Sequence, residues 1–307
     1  MSARGSDSPN GDAPLRVADV TVSYGGVLAI SDVTFGVPRG TIVGLIGPNG
    51  AGKTTLFDAI CGFTAVENGR IELEGRDITS LAPAERSRAG LGRSFQDAKL
   101  FGSLTVAETL ACAFERKVTS QGPVSSALGL PWVWSTERSL SKRIDELTEL
   151  LGLGAFYDKF VSELSTGSRR IVDLACVMAH DPSVLLLDEP SSGIAQRETE
   201  ALGPLLLRIR EVTGCTMLLV EHDMPLVTSV SDELIALETG RIIARGSARD
   251  VTNDPLVIEA YLGTDERVVA RSGSVVTRKA SRTRKRPRVN AKATKSKARK
   301  PAARRRA

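Results

Sequence analysis

The stretch GPNGAGKT, Gly47 to Thr54, constrains this chain more than any other. It satisfies the pattern GxxxxGK[ST] at every fixed position, in the context that pattern needs. TIVGLIG (41–47) ahead of it is a continuous apolar run, read as a buried strand. Behind it, the sequence from Lys53 to Cys61 reads as a helix. The residue types suit an anion. Glycines let the backbone N–H groups of Gly47, Pro48-Asn49, Gly50, Ala51 and Gly52 curl around a phosphate, proline excepted. The following helix N-terminus, with Lys53, Thr54 and Thr55, adds positive potential. Lys53 can reach the outer phosphates of a nucleoside triphosphate, and the Thr54 hydroxyl can ligate Mg²⁺.

VLLLDE (184–189) supplies a second half, about 135 residues after the loop. An aspartate ending a buried strand beside the phosphates can hold Mg²⁺ through coordinated water, which assigns that part to Asp188. Glu189 is then placed to polarise an attacking water as general base. An apolar run ending in two acids is, taken alone, a strand meeting solvent. Its position in a strand–helix–strand succession gives it the chemical reading. Together these residues define a P-loop ATPase and stop there.

The rest of the chain organises around them. LRVADVTVSY and VLAISDVTFGV alternate with period two across a Gly25-Gly26 turn, and RIELEG (70–75) alternates again. Ala84–Ala89, after Pro83, reads as a short helix. Thr105 to Met178 is mostly helical by periodicity, with Thr105 and Glu108 forming a capping box. Residues 122–131 carry two prolines and two glycines and read as a loop. Trp132 and Trp134 either anchor that loop on the helices or face a membrane-embedded partner. Arg197–Val212 is helical, with Gly203-Pro204 expected to disturb its first half. CTMLLVEH (215–222) is another buried strand, and ELIALETGRIIARG (233–246) a hairpin turning at Thr239-Gly240.

Composition excludes several classes. No apolar run approaches the roughly 20 residues that span a bilayer. Met1 to Pro14 is polar, without the apolar stretch of a signal peptide, and reads as a disordered lead-in. A membrane role must therefore come through a partner. Cys61, Cys112, Cys176 and Cys215 form no CxxC pair and read as buried free thiols of a reducing compartment. With His180 and His222 as the only histidines, a zinc site lacks ligands. From Ser272 to Ala307 there are 15 Lys/Arg and no Asp/Glu, so the body keeps 26 basic against 36 acidic residues, a charge of −10. The basic tail, 265–307, reads as disordered, suited to anionic lipid or nucleic acid.

Further stretches say which kind of ATPase this is: VSYGG, RSFQDAKLFGSLTVAET, LSTGSRR, LLLDEPSSG and LLVEHDM, in that order around GPNGAGKTT. Over roughly 15–264 the chain resembles the ABC ATPases. That resemblance implies an α/β P-loop NTPase fold with a mainly parallel core sheet, an N-terminal antiparallel β subdomain and a helical subdomain at about 97–178. It also implies roles for residues. Tyr24 matches the aromatic that stacks on adenine, and Gln96 the glutamine that touches Mg²⁺ or water and senses the membrane subunit. Ser165 and Gly167 match the signature that meets the γ-phosphate of ATP held by the opposite protomer. His222 matches the histidine that contacts the γ-phosphate. Singly, Tyr24 is also a strand aromatic, Gln96 a surface amide and His222 a strand-end histidine; order and spacing join them. GRSFQ (92–96), the helical insert around 115–140 and DPLVIEAYLGT (254–264) are most similar to the ATPases of branched-chain amino-acid importers. The implied partners are polytopic permease subunits, a second ATPase protomer and, indirectly, a solute-binding protein, at the cytoplasmic face of the cell membrane. An ABC ATPase acting on ribosome or nucleic acid is the alternative, as the basic tail suggests.

The chain departs from the family pattern at three places. Thr166 and Ser168 replace the first glycine and the glutamine of LSGGQ, and Ala195 stands where Asp or Asn is usual. Thr166 crowds the loop with a branched Cβ, whereas Ser168 can cap the following helix. These changes motivate a heterodimer with a different ATPase, or a regulatory subunit that holds ATP as a structural ligand.

Overall fold

The computed structural model describes residues 12–94, 99–115 and 131–262, with backbone alone for 131–138. The chain divides into two units, Met1–Asp265 and Glu266–Ala307. The second lies outside the described residues, as do Gln96 and most of the lead-in; for Trp132 and Trp134 the side chains do.

Strands β1 (Leu15–Tyr24), β2 (Val27–Val37) and β3 (Ile42–Ile46) open the fold. Helix α1 (Lys53–Cys61), β4 (Asn68–Leu73), β5 (Arg76–Asp77), α2 (Pro83–Arg88) and β6 (Leu91–Ser94) follow. A helical stretch then carries α3 (Val106–Phe114), α4 (Pro131–Leu150) and α5 (Thr166–Met178). The chain returns through β7 (Val184–Asp188), α6 (Gln196–Thr213), β8 (Thr216–Val220) and α7 (Met224–Val230). The hairpin β9 (Glu233–Glu238) and β10 (Arg241–Gly246), α8 (Ala248–Thr252) and a helical segment at 255–262 complete it.

Two sheets result. One is antiparallel, in the order β2-β1-β4-β5; the other has six strands in the order β10-β9-β3-β8-β7-β6. In the second, β3 runs parallel to β8 and β9, and β7 parallel to β6 and β8; only the β9–β10 pair is antiparallel. Parallel strands covered on both faces must be apolar throughout, and every residue of β3, β7 and β8 is buried. Their side chains alternate between two cores. Ile42, Ile46, Leu185, Leu187, Met217 and Leu219 pack with residues of α3 to α7. Val43, Leu45, Val184, Leu186, Leu218 and Val220 pack with α1 and the antiparallel sheet. Each fully buried aliphatic side chain contributes roughly 1.5–3 kcal/mol. The parallel register brings the carboxyl ends of β3, β6, β7 and β8 to one edge, where ligands of such sheets bind.

Three local readings need correction. Gly203-Pro204 does not interrupt α6, which runs for 18 residues. Pro204 sits on the exposed face, where water can take the freed carbonyl, and Gly203 is buried where Leu226 and Val230 approach. Ser168 is not the cap of α5: Ser165 is, its hydroxyl accepting from the Ser168 amide at 3.1 Å. The thiols are free, but Cys112 is exposed and Cys176 half-buried, because both lie on helix faces only partly covered.

Candidate active site

The loop after β3 is held open by backbone that only glycine adopts without strain. Gly47, Gly50 and Gly52 have φ of 153°, 82° and 107°. A Cβ at Gly47 would also collide with the carbonyl of Leu237. Lys53, at the start of α1, folds back into the loop: its ammonium donates to Gly47 O at 2.6 Å and Pro48 O at 3.1 Å. Burial lowers the Lys53 pKa, opposed by the nearby carboxylates of Glu189 and Asp188. Asn49, Gly50 and Thr54 are exposed, Pro48, Gly52 and Thr55 half-buried, and Ala51 buried. From the 255–262 segment the Tyr261 hydroxyl accepts the Gly47 amide at 2.8 Å.

Asp188 closes β7 and is 3 % exposed. One carboxylate oxygen accepts from Arg93 of β6 at 2.9 Å, and the same guanidinium donates to Asp58 of α1 at 2.6 Å. Arg93 also lies over the rings of Phe57 and Phe63. Burial raises the Asp188 pKa and Arg93 lowers it, with burial the larger effect. The other oxygen, Oδ1, is buried with no hydrogen-bond partner. An orphaned anionic oxygen beside a phosphate loop fits a hydrated Mg²⁺. Among the described residues no group of three His, Cys, Asp or Glu could enclose a metal, so such an ion must complete its shell from nucleotide, hydroxyl and water oxygens.

Glu189 follows in a left-handed conformation, φ 48°, with its amide bonded to Val220 O at 2.9 Å. A non-glycine residue there is strained, and the neighbouring strand fixes it. Its Oε1 lies 2.9 Å from Nε2 of His222, just past β8. Glu221, 2 % exposed, holds the next layer: it accepts the Ser191 amide and hydroxyl, each at 2.7 Å, and the His222 amide at 3.1 Å.

Lys53, Asp188, Glu189 and His222 therefore gather at the strand ends. Tyr24 stands at the margin, 53 % exposed, its hydroxyl 3.0 Å from Thr64 Oγ1 just beyond α1. Ser165 and Gly167 begin α5, facing Glu198 of α6: Ser165 Oγ donates to Glu198 Oε1 at 2.8 Å. Sequence reasoning missed Arg93, Glu221, Glu198 and Tyr261. Arg93 had a usable signal, a lone charge in a buried-strand pattern.

A strand–glycine loop–helix unit at the carboxyl edge of a parallel sheet, with a buried lysine and an Asp-Glu pair, makes this a P-loop nucleoside triphosphatase. The model of the ABC transporter family matches residues 30–192, and that of the branched-chain amino acid ATP-binding cassette transporter matches 241–267. The chain belongs to the ATP-hydrolysing ABC transporter ATP-binding family. It is 36% identical over 252 residues to the high-affinity branched-chain amino acid transport ATP-binding protein LivG of Escherichia coli K12 (81% of this chain, 97% of that one). To BraF of Pseudomonas aeruginosa, of the same description, it is 34% identical over 249 residues, with the same coverage. The solved ADP conformation of an ATP-binding cassette of an ABC transporter superposes with a TM-score of 0.70 at 30% identity, covering 82% of this chain and 100% of that one. A dimeric bacterial ABC transporter cassette shares the fold, with a TM-score of 0.63 at 22% identity, covering 76% of this chain and 99% of that one.

Proposed function

We propose that this chain powers uptake of branched-chain or related amino acids as the ATP-hydrolysing subunit of an importer. The supporting observation is its likeness to LivG and BraF over 81% of its length, together with the match at 241–267. Among the described residues no helix is long and apolar enough to cross a membrane, so polytopic permease subunits would form the path and a solute-binding protein would deliver to them. The chain would sit peripherally on the cytoplasmic face, paired with a second ATPase protomer, identical or different. The relatives quoted are transport proteins, which disfavours the ribosomal or nucleic-acid alternative. The basic tail suits an anionic surface of lipid or nucleic acid.

The residues divide the work. Tyr24 offers a ring to adenine. Backbone amides between Asn49 and Thr55 cradle the phosphates, the Gly47 amide being held by Tyr261, and Lys53 exchanges its loop carbonyls for phosphate oxygens. Mg²⁺, when bound, would neutralise phosphate charge and draw electrons from the breaking bond. Thr54, Gln96 and Asp188 are the residues to hold it. Glu189 accepts a proton from the attacking water while His222 holds the carboxylate and meets the γ-phosphate. Ser165 and Gly167 face the γ-phosphate of ATP on the partner. Closure on ATP would push the permease, and phosphate release would reopen the pair.

A tag on the full chain, recovered from detergent-solubilised membranes, tests this reading. Two polytopic proteins and an ATPase activity are expected by mass spectrometry and phosphate release. Ribosomes or nucleic acid without a membrane protein would overturn it.

A further inference from the structure

The signature serine already has an anion. Ser165 Oγ accepts the Ser168 amide at 3.1 Å and stands 3.0 Å from Ser168 Oγ. Towards α6 it meets Glu198 Oε1 at 2.8 Å, so its single proton goes to that carboxylate or to Ser168. The same carboxylate lies against Gly167, where an added Cβ would collide with it. Its Oε2 lies 3.4 Å from the amide of Ala195, the residue preceding α6. One carboxylate thus joins the N-termini of a 13-residue and an 18-residue helix. Both ends carry unsatisfied amides and positive potential. Ser165 itself is exposed. The Ala195 methyl carries no hydrogen-bonding group to compete for Glu198.

We propose that Glu198 is a placeholder for the incoming phosphate: it holds the Ser165 hydroxyl and covers Gly167 in the open protomer, and yields them when ATP on the partner arrives. The inference rests on the reading of Ser165 and Gly167 as γ-phosphate contacts. Its physics is competition. A hydroxyl proton serves one acceptor at a time. A carboxylate and a triphosphate within a few ångströms repel each other, so closure must move Glu198 aside. Glu198 is thereby a positioning residue. It keeps the signature loop ordered without nucleotide, and it raises the ATP concentration needed for closure.

Glu198→Gln keeps the size and an amide oxygen for Ser165 but removes the charge. In the complex recovered through a tag on the full chain, it should lower half-saturating ATP roughly threefold to tenfold without lowering kcat, with a small fall in the melting temperature from the charge lost at two helix ends. Glu198→Ala should lower half-saturating ATP as well, while its lost cap lowers the melting temperature. Unchanged or raised half-saturating ATP in Glu198→Gln would overturn the proposal, making Glu198 a plain cap or a permanent part of the closed site. Ser165→Ala separates the two ideas. If it leaves kcat and half-saturating ATP unaltered, the γ-phosphate reading fails. If it impairs turnover while Glu198→Gln changes nothing, the placeholder alone fails.

Discussion

Arg93 holds the charge on which Asp188 depends. Burial favours the neutral acid and raises its pKa, while the guanidinium at 2.9 Å lowers it. Removing Arg93 must therefore raise the pKa further. In the proposed role of holding Mg²⁺, Asp188 must be ionised, so the acid limb of the ATPase pH profile should move to higher pH in Arg93→Gln, with a weaker response to Mg²⁺. Arg93→Lys should restore part of the limb by charge alone, without the second bond to Asp58. A limb that stays in place would show that Asp188 is not the group titrating there. Lys53→Ala should reduce phosphate release to background, and full turnover in that variant would sink the site assignment. The placing of Lys53, Asp188, Glu189 and His222 at one sheet edge was legible because each candidate sits in a short motif, Lys53 after the glycine loop and the others at strand ends. Their supports were not, because these come from far along the chain. Arg93 meets a residue 95 positions away, Glu198 one 33 away, and Tyr261 one 214 away. No local pattern in one sequence links such pairs.

Elements followed the hydrophobic periodicity wherever a single face or a full run was buried. The continuous runs around Val43, Leu186 and Leu218 became three of the four inner strands, because both faces meet a core. Leu186→Ala leaves a cavity in that core and should cost about 2–5 kcal/mol by urea unfolding. A change below 1 kcal/mol, on the order of a surface substitution, would contradict the packing described. Helix α6 went the other way: propensity pointed to a disturbed first half at Gly203-Pro204, but the helix runs on through both residues. Proline there still removes one backbone bond, so Pro204→Ala should stabilise the chain by about 2 kcal/mol, less than the full helix-interior cost because the unfolded chain gains freedom. The start of α5 was displaced for a simpler reason. LSTGS offers two serines three apart, and only the fold decides that Ser165, with its amide partner at Ser168, takes the cap.

At the scale of the molecule, the order of motifs carried the family, since an α/β chain with these spacings closes one sheet edge around one site. The division between an acidic body and a basic tail was equally plain in the composition, but nothing in composition names what the tail touches. The trapped state offers one check: Glu189→Gln should bind ATP and accumulate as a closed pair, seen as a doubled mass in sedimentation with Mg²⁺ and ATP, because the proposed general base is gone while the proposed phosphate contacts remain. The central claim, that hydrolysis at this site drives amino-acid uptake, is tested most directly in cells lacking the chain. Labelled leucine, isoleucine and valine uptake is measured after complementation with the wild type, Lys53→Ala or Glu189→Gln. Restoration by the wild type alone is the result predicted. Equal uptake with either variant, or no loss of uptake when the chain is absent, would contradict it.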